Sequence, residues 1–237
     1  EKYHGIKPLT PQNGSTSESP KLQSYTDIFG KSLVQLAEEN PKICAITAAM
    51  CDGTGLNDFH TRFPERFFDV GIAEEHAVTY AAGLAAGGFR PVVSIYSTFL
   101  QRSFDQVIHD VALQKLPVIL AIDRGGLVGE DGPTHHGSFD LSYLNLIPDL
   151  IIASPKNGQE LRNLLYTAAQ QDEYPFVIRY PRDLAPDSVN LDAGFEKIEI
   201  GSWDVIHVGE NILILAVGSM VQESIKTLNL LKRHKLN

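Results

Sequence analysis

Short apolar runs recur along the chain at Ile43–Thr47, Phe67–Val70, Val92–Tyr96, Val118–Ile122, Leu150–Ala153 and Phe176–Arg179, each of the length expected of a buried strand. Between them lie stretches of helical period, near Asn57–Phe63, Ala73–Ala86, Phe99–Val111, Leu141–Leu146 and Gly158–Gln170, with Gly87-Gly88 and several prolines as stops. Ser24, with Asp27 three residues on and Ile28, Leu33, Leu36 and Ala37 following, predicts a capped amphipathic helix that ends at Asn40-Pro41. Strand alternating with helix predicts an α/β fold with a doubly wound, mostly parallel sheet. Ligands of such sheets gather outside the carboxyl ends of the strands, so the loops after Val70, Tyr96 and Ile122 are expected on one rim.

The pattern breaks twice. Residues 8–20 are rich in Pro, Ser and Gly and lack an apolar period, the composition of a mobile linker. It loosens again from Asp183 to Glu196, after which Ile198–Ile200, Trp203–Val208 and Ile212–Val217 read as strands and Met220 to about Arg233 as a helix. A helix docked on a parallel strand normally returns into another strand, and none follows, so this second unit reads as truncated. The absence of an initiator methionine fits a piece of a longer chain. The expected division is therefore a linker at 1–21, a main domain at 22–183, a second linker at 184–196 and the start of another α/β domain at 197–237.

Composition narrows the partners. The net charge is -9 with no run of Lys or Arg, which argues against a nucleic-acid groove or an anionic membrane surface. No apolar run approaches the roughly 20 residues of a membrane span, and the amino end has no signal-peptide core. Cys44 and Cys51 have no further cysteines with which to build a metal site, and read as two reduced thiols of a cytoplasmic protein.

The densest chemistry is in Asp123–Gly137, where five glycines accompany Arg124, Glu130, Asp131, His135 and His136. Ordering such a loop costs backbone entropy that a bound ligand usually offsets. A metal is disfavoured, because adjacent histidines diverge and no third well-spaced donor exists. Arg124, Asp131 and His135 suit an anionic, hydroxylated small molecule instead. Glu74-Glu75-His76 open a helix, and on spacing alone the acids serve the helix dipole. The small residues behind them (Ala77, Ala81, Ala82, Gly83, Ala85, Ala86) suit close packing against another large element or subunit, which would bury an acid at the helix start. Tyr96, Phe99 and Arg102 leave a strand and enter a helix, and His109 further along it reads as a packing residue. The phosphate-binding motifs Gly-x-x-x-x-Gly-Lys-Ser/Thr and Gly-x-Gly-x-x-Gly are missing.

Taken together, Ile72-Ala-Glu-Glu-His-Ala-Val-Thr79, Ile95-Tyr-Ser-Thr-Phe-Leu-Gln-Arg102, the segment Asp123–His135 and Arg179-Tyr-Pro-Arg182 resemble the 1-deoxy-D-xylulose-5-phosphate synthases, thiamin-diphosphate enzymes of the transketolase superfamily. The resemblance runs over nearly the whole chain. It implies that the main domain is the pyrimidine-binding domain, that a diphosphate-binding domain is missing upstream, and that the unit after Glu196 begins the carboxyl-terminal domain. It further implies condensation of pyruvate with D-glyceraldehyde 3-phosphate, with loss of carbon dioxide, in a homodimer. Thiamin diphosphate and Mg2+ are the implied cofactors. The family's metal-binding Gly-Asp-Gly is absent from the sequence, so no metal ligands are expected in this chain.

Position by position, Glu74 rather than Glu75 matches the glutamate that hydrogen-bonds the cofactor's pyrimidine, Phe99 the aromatic stacked on that ring, and Arg102 a residue lining its pocket. Tyr96, Asp131 and His135 match substrate-side groups, and Arg124 and Arg182 the pair that binds the phosphate. His4 matches a histidine of the upstream segment that joins Glu74 and His135 as a catalytic group. Glu75 stands where many relatives have glutamine, and Gly125 where alanine is common. A transketolase, a 2-oxoacid dehydrogenase subunit and a non-catalytic ligand-binding module are the other readings, and the arginine-bearing loop argues against the first two.

Overall fold

A computed structural model describes residues 22–234. The linker expected over residues 1–21 and the candidate His4 lie outside the described residues. Six strands, β1 (Ile43–Thr47), β2 (Phe67–Asp69), β3 (Arg90–Tyr96), β4 (Ile119–Asp123), β5 (Ile151–Ala153) and β6 (Phe176–Arg179), form one sheet in the order β2-β1-β3-β4-β6-β5. Every pair is parallel. The central strands β1 and β4 are buried along their whole length because helices cover both faces.

Alternate residues go to opposite faces. On one face Ile43, Ala45, Val92, Ile119, Ala121, Phe176 and Ile178 pack with α1 (Tyr25–Glu39), α2 (Asn57–Arg62) and α7 (Gly158–Gln170). On the other, Ile46, Val93, Ile95, Leu120, Ile122 and Val177 pack with α3 (Glu74–Ala86), with α6 (Asp140–Leu144) and with the helical stretch after β3. Ala77, Ala81, Ala82 and Ala85 of α3 are buried in this second layer. Four of the six small residues that suggested close packing are therefore buried within the chain's own second layer, while Gly83 and Ala86 are exposed.

α1 forms where the spacing predicts, with the Ser24 side chain accepting from the Asp27 amide and Asn40 closing the carboxyl end. The predicted helix over Phe99–Val111 is instead a succession of pitches: α4 (Ser97–Leu100), a 3-10 turn (Gln101–Ser103), α5 (Phe104–Gln106) and a π-helical segment (Val107–Ala112). Arg102 lies in the 3-10 turn of this stretch.

One group of predicted strands does not form. Ile198–Ile200, Trp203–Val208 and Ile212–Val217 carry no sheet pairing among the described residues, and Val205, Val208 and Leu213 are about four-fifths exposed. β-branched composition gives a strand only where a neighbour supplies the hydrogen-bonding edge. The helix predicted after them is present as α8 (Met220–Arg233). The segment 184–196 lies against α1 and α7: Gln35 Nε2 donates to the Leu191 carbonyl at 2.8 Å and Arg162 Nη2 to that of Ala193 at 2.6 Å.

Cys51 Sγ donates to Asn57 Oδ1 at 3.3 Å, and burial within β1 pushes the Cys44 thiol up to about 12. Among the described residues no helix is long and apolar enough to cross a membrane.

The sheet order reverses direction between β1 and β3, since β2 lies outward of one and β4 outward of the other. The loops leaving their carboxyl ends flank a crevice at that point.

Candidate active site

Two groups of side chains meet at this crevice. The first is built by the start of α3. Helical geometry turns successive residues by about 100°, so Glu74 is 2% exposed while Glu75 and His76 face solvent. Glu74 Oε1 accepts from Arg102 Nη1 at 2.9 Å, and the Arg102 side chain is half-exposed. The Arg102 guanidinium lies 5.3 Å from the centroid of the Phe99 ring. Phe99 stacks on Tyr96 at 5.7 Å and meets the edge of His135 at 5.3 Å. A buried carboxylate, its arginine and three rings thus form one continuous contact. His109 is not part of it and pairs with Asp105 at the exposed surface.

The second group surrounds Arg124. This residue has φ +60°, a left-handed conformation uncommon for a side chain of its size. It is held there from beneath, because its amide donates to Asp123 Oδ1 at 2.6 Å while Thr26 Oγ1 of α1 donates to Asp123 Oδ2 at 2.7 Å. Asp123 is fully buried, and burial pushes its carboxyl up to about 6 against the lowering effects of the Thr26 hydrogen bond, Arg124 and Arg182. The Arg124 guanidinium lies 3.7 Å over the Tyr96 ring, and its Nη1 donates to the Gly53 carbonyl at 3.0 Å. Its Nε donates to Asp131 Oδ2 at 2.8 Å, and Arg182 Nε approaches the same oxygen at 3.3 Å. Arg182 is further fixed by a hydrogen bond from Nη1 to the Val128 carbonyl at 3.2 Å. One carboxylate therefore bridges two arginines.

His135 and His136 diverge as adjacent residues must. His135 Nδ1 lies 2.9 Å from Thr134 Oγ1 beside Phe99, whereas His136 Nδ1 accepts from the Val128 amide at 3.2 Å inside the loop. Burial pushes the Tyr96 hydroxyl up to about 12, so it is a neutral donor at neutral pH. Among the described residues no group of three or more His, Cys, Asp or Glu could hold a metal ion.

The structure brings Glu74, Phe99, Arg102 and His135 together, and likewise Tyr96, Arg124, Asp131 and Arg182, with Tyr96 stacked on Phe99 between the two. It adds residues that the sequence reading passed over. Gly53 presses its Cα against Tyr96, where any Cβ would overlap the hydroxyl. Its signal was the glycine pair in Asp52-Gly-Thr-Gly55, in the loop that follows a predicted strand. Thr26, Asp123, Ser97, Asp140 and Arg179 form buried polar contacts beneath the loop. Single polar residues at the ends of apolar runs give no warning of such partners.

The likeness to known proteins is extensive. The chain is 55% identical over 231 residues to the 1-deoxy-D-xylulose-5-phosphate synthase of Dictyoglomus thermophilum, covering 98% of this chain and 36% of that protein. It is 56% identical over 225 residues to the enzyme of the same name from Aquifex aeolicus, covering 95% and 35%. The chain thus spans about 36% of the length of these curated relatives. Among solved structures, a split-gene transketolase described as an inactive beta4 tetramer superimposes with a TM-score of 0.79 at 29% identity, covering 91% of this chain and 69% of the other. A transketolase from Leishmania mexicana superimposes with a TM-score of 0.62 at 21% identity, covering 68% and 25%, which speaks to the fold alone. The family described as transketolase, pyrimidine binding domain matches residues 21–188. With its parallel sheet, switch-point crevice and buried helix-start glutamate, the chain belongs to that family.

Proposed function

We propose that this chain is the pyrimidine-binding part of a thiamin-diphosphate-dependent transferase that condenses pyruvate with D-glyceraldehyde 3-phosphate, releasing carbon dioxide and forming 1-deoxy-D-xylulose 5-phosphate. The observation that carries the reading is the unbroken contact from the Glu74–Arg102 pair through Phe99 and Tyr96 to Arg124, Asp131 and Arg182. It supports a reading in which one end of the rim takes a heteroaromatic ring and the other takes a phosphate.

The residues fit the pyrimidine end of the cofactor. Glu74 offers a water-shielded carboxylate to a ring nitrogen, Arg102 orients that carboxylate, and Phe99 offers a flat face. The diphosphate and its cation are read as held elsewhere, because the Gly-Asp-Gly of the resembled family is absent from this sequence. We therefore assign Mg2+ to other residues. When bound, thiamin diphosphate supplies the carbon nucleophile and the electron sink for decarboxylation.

The remaining work falls to side chains of this chain. Glu74 holds a proton shared with the ring nitrogen. Arg124 and Arg182 take the phosphate of the aldehyde by charge-assisted bonds, and that phosphate replaces Asp131 at their guanidinium nitrogens. His135, with Nδ1 engaged by Thr134, presents Nε2 to the oxygen of the reacting carbonyl. Tyr96 donates its hydroxyl at the boundary between the two groups.

The intact protein that carries this chain, incubated with thiamin diphosphate, Mg2+, pyruvate and D-glyceraldehyde 3-phosphate, should release carbon dioxide and form the five-carbon phosphate. Turnover of a ketose donor in place of pyruvate would make it a transketolase, and failure to decarboxylate pyruvate under any of these conditions would overturn the reading.

A further inference from the structure

The 124–137 loop is closed at its neck by two reciprocal backbone hydrogen bonds, from the Gly126 amide to the Gly137 carbonyl at 2.9 Å and from the Gly137 amide to the Gly126 carbonyl at 2.7 Å. Two bonds between glycines make a weak clasp, since glycine gives up the most backbone freedom on ordering. A buried ionic cluster lies directly beneath. Asp140, 1% exposed, accepts at Oδ2 from Ser97 Oγ at 2.8 Å and from Arg179 Nε at 2.7 Å, while its Oδ1 accepts from the Leu141 amide at 2.8 Å. Arg179 then reaches up with Nη2 to the Gly137 carbonyl at 3.2 Å. The fit is close enough that a Cβ on Gly125 would lie 2.9 Å from three atoms of the Arg179 side chain. A Cβ on Gly137 would overlap the Arg124 carbonyl and the Ser97 side chain.

None of these groups has a part in the chemistry described above, yet each is joined to a segment that does. Ser97 follows Tyr96 and opens the turn that carries Phe99. Gly137 ends the loop of Arg124, Asp131 and His135, and Arg179 precedes Arg182 by three residues. We propose that Arg179, braced by Asp140 and Ser97, is a positioning residue that fixes the loop neck in register with the Tyr96–Phe99 segment and so sets the distance between the two ends of the site. Arginine is required because one rigid fork serves two acceptors on different segments, the Asp140 carboxylate and the Gly137 carbonyl. Lysine brings the same charge on a single nitrogen. A condensation between two substrates is sensitive to that distance, because small misplacements of positioned groups cost large factors in rate.

This proposal rests on the reading that Arg124 and Arg182 receive the acceptor's phosphate. In the cofactor-loaded intact protein, Arg179→Lys keeps the counter-charge of Asp140, and Ser97→Ala removes one hydrogen bond without adding bulk. Arg179→Lys should raise KM for D-glyceraldehyde 3-phosphate at least roughly tenfold and Ser97→Ala severalfold. Carbon dioxide release from pyruvate alone and the melting temperature should change little in both. An unchanged KM, or a loss of pyruvate decarboxylation in step with the rise in KM, would overturn it. A second measurement is independent of activity: amide hydrogen exchange on the 237-residue chain should be faster at Gly126 and Gly137 in Arg179→Lys while β4 keeps its protection. Unchanged protection at those two glycines sinks the proposal. A wild-type protein inactive on both substrates sinks the functional reading, and the exchange data then decide the positioning role by themselves.

Discussion

Glu74 is shielded from solvent and paired to Arg102, while Glu75, one residue on, is exposed, so the same substitution at the two positions separates chemistry from surface. Glu74→Ala in the intact protein should lower kcat by at least about two orders of magnitude. Its cost in stability should stay near 1 kcal/mol or below, because the Arg102 it leaves behind is half in water. Glu75→Ala should be close to wild type in both respects. Steady-state kinetics beside thermal melts test this, and an inactive Glu75→Ala with an active Glu74→Ala would shift the register by one. Asp123 gives a different signature. Its carboxyl is raised from 3.8 to about 6, so between those values the folded state keeps a proton that the unfolded chain has released. Stability contributed by this group therefore falls as pH rises from about 4 to about 6 and is level above that. Asp123→Asn has no such dependence, and relative to wild type it should gain on the order of 2–3 kcal/mol between pH 4 and pH 7. Urea unfolding at the two pH values measures it, and an opposite slope would mean that Arg124 and Arg182 keep the carboxylate ionised throughout.

At the scale of elements, α7 is capped from the segment read as a linker. Its first-turn amides are met by the Asn157 side chain, which accepts from the Glu160 amide at 2.8 Å, and by Asp187, whose carboxylate accepts from the Gly158 and Gln159 amides at 2.9 and 3.2 Å. Asp187→Ala should cost about 1–2 kcal/mol by exposing two orphan donors at the positive end of the helix dipole. No change in melting temperature would show that the 184–196 segment is a free tether. The helices and the six sheet strands were legible because burial imposes a period on the chain, and α1 could be bounded to the residue by Ser24 and Asn40. What was not legible depends on partners distant in sequence. The runs from Ile198 to Val217 have the composition of strands but no edge to join. Asp187 looks like any loop acid until α7 is brought to it. Of the site, the loop was visible as costly glycine and charge, and Glu74 was distinguished from Glu75 by resemblance rather than by spacing. Asp140 and Arg179 were invisible because their roles lie in contacts across 43 and 39 positions of chain.

On the scale of the whole molecule, the proposed function makes this rim one half of a bipartite ligand site. Calorimetry of the 237-residue chain with thiamin diphosphate and Mg2+ should detect binding no tighter than about 10⁻⁴ M. The ring alone offers few contacts, and the described residues hold no ligand cluster for the cation. Binding in the micromolar range would place a cation site in this chain after all. A different consequence follows from the unpaired stretch near the carboxyl end. Ile212-Leu-Ile-Leu-Ala-Val217 is six residues with no charge and no proline, and Leu213 is 83% exposed. Such a hexapeptide, exposed and without sheet pairing among the described residues, is a template for cross-β stacking between molecules. The working life of a concentrated solution should thus be limited by colloidal loss through this segment rather than by unfolding of the sheet. Leu213→Lys should lengthen the time before light scattering rises while leaving the melting temperature unchanged. A rise in scattering that keeps the wild-type lag would move the nucleus of aggregation elsewhere in the molecule.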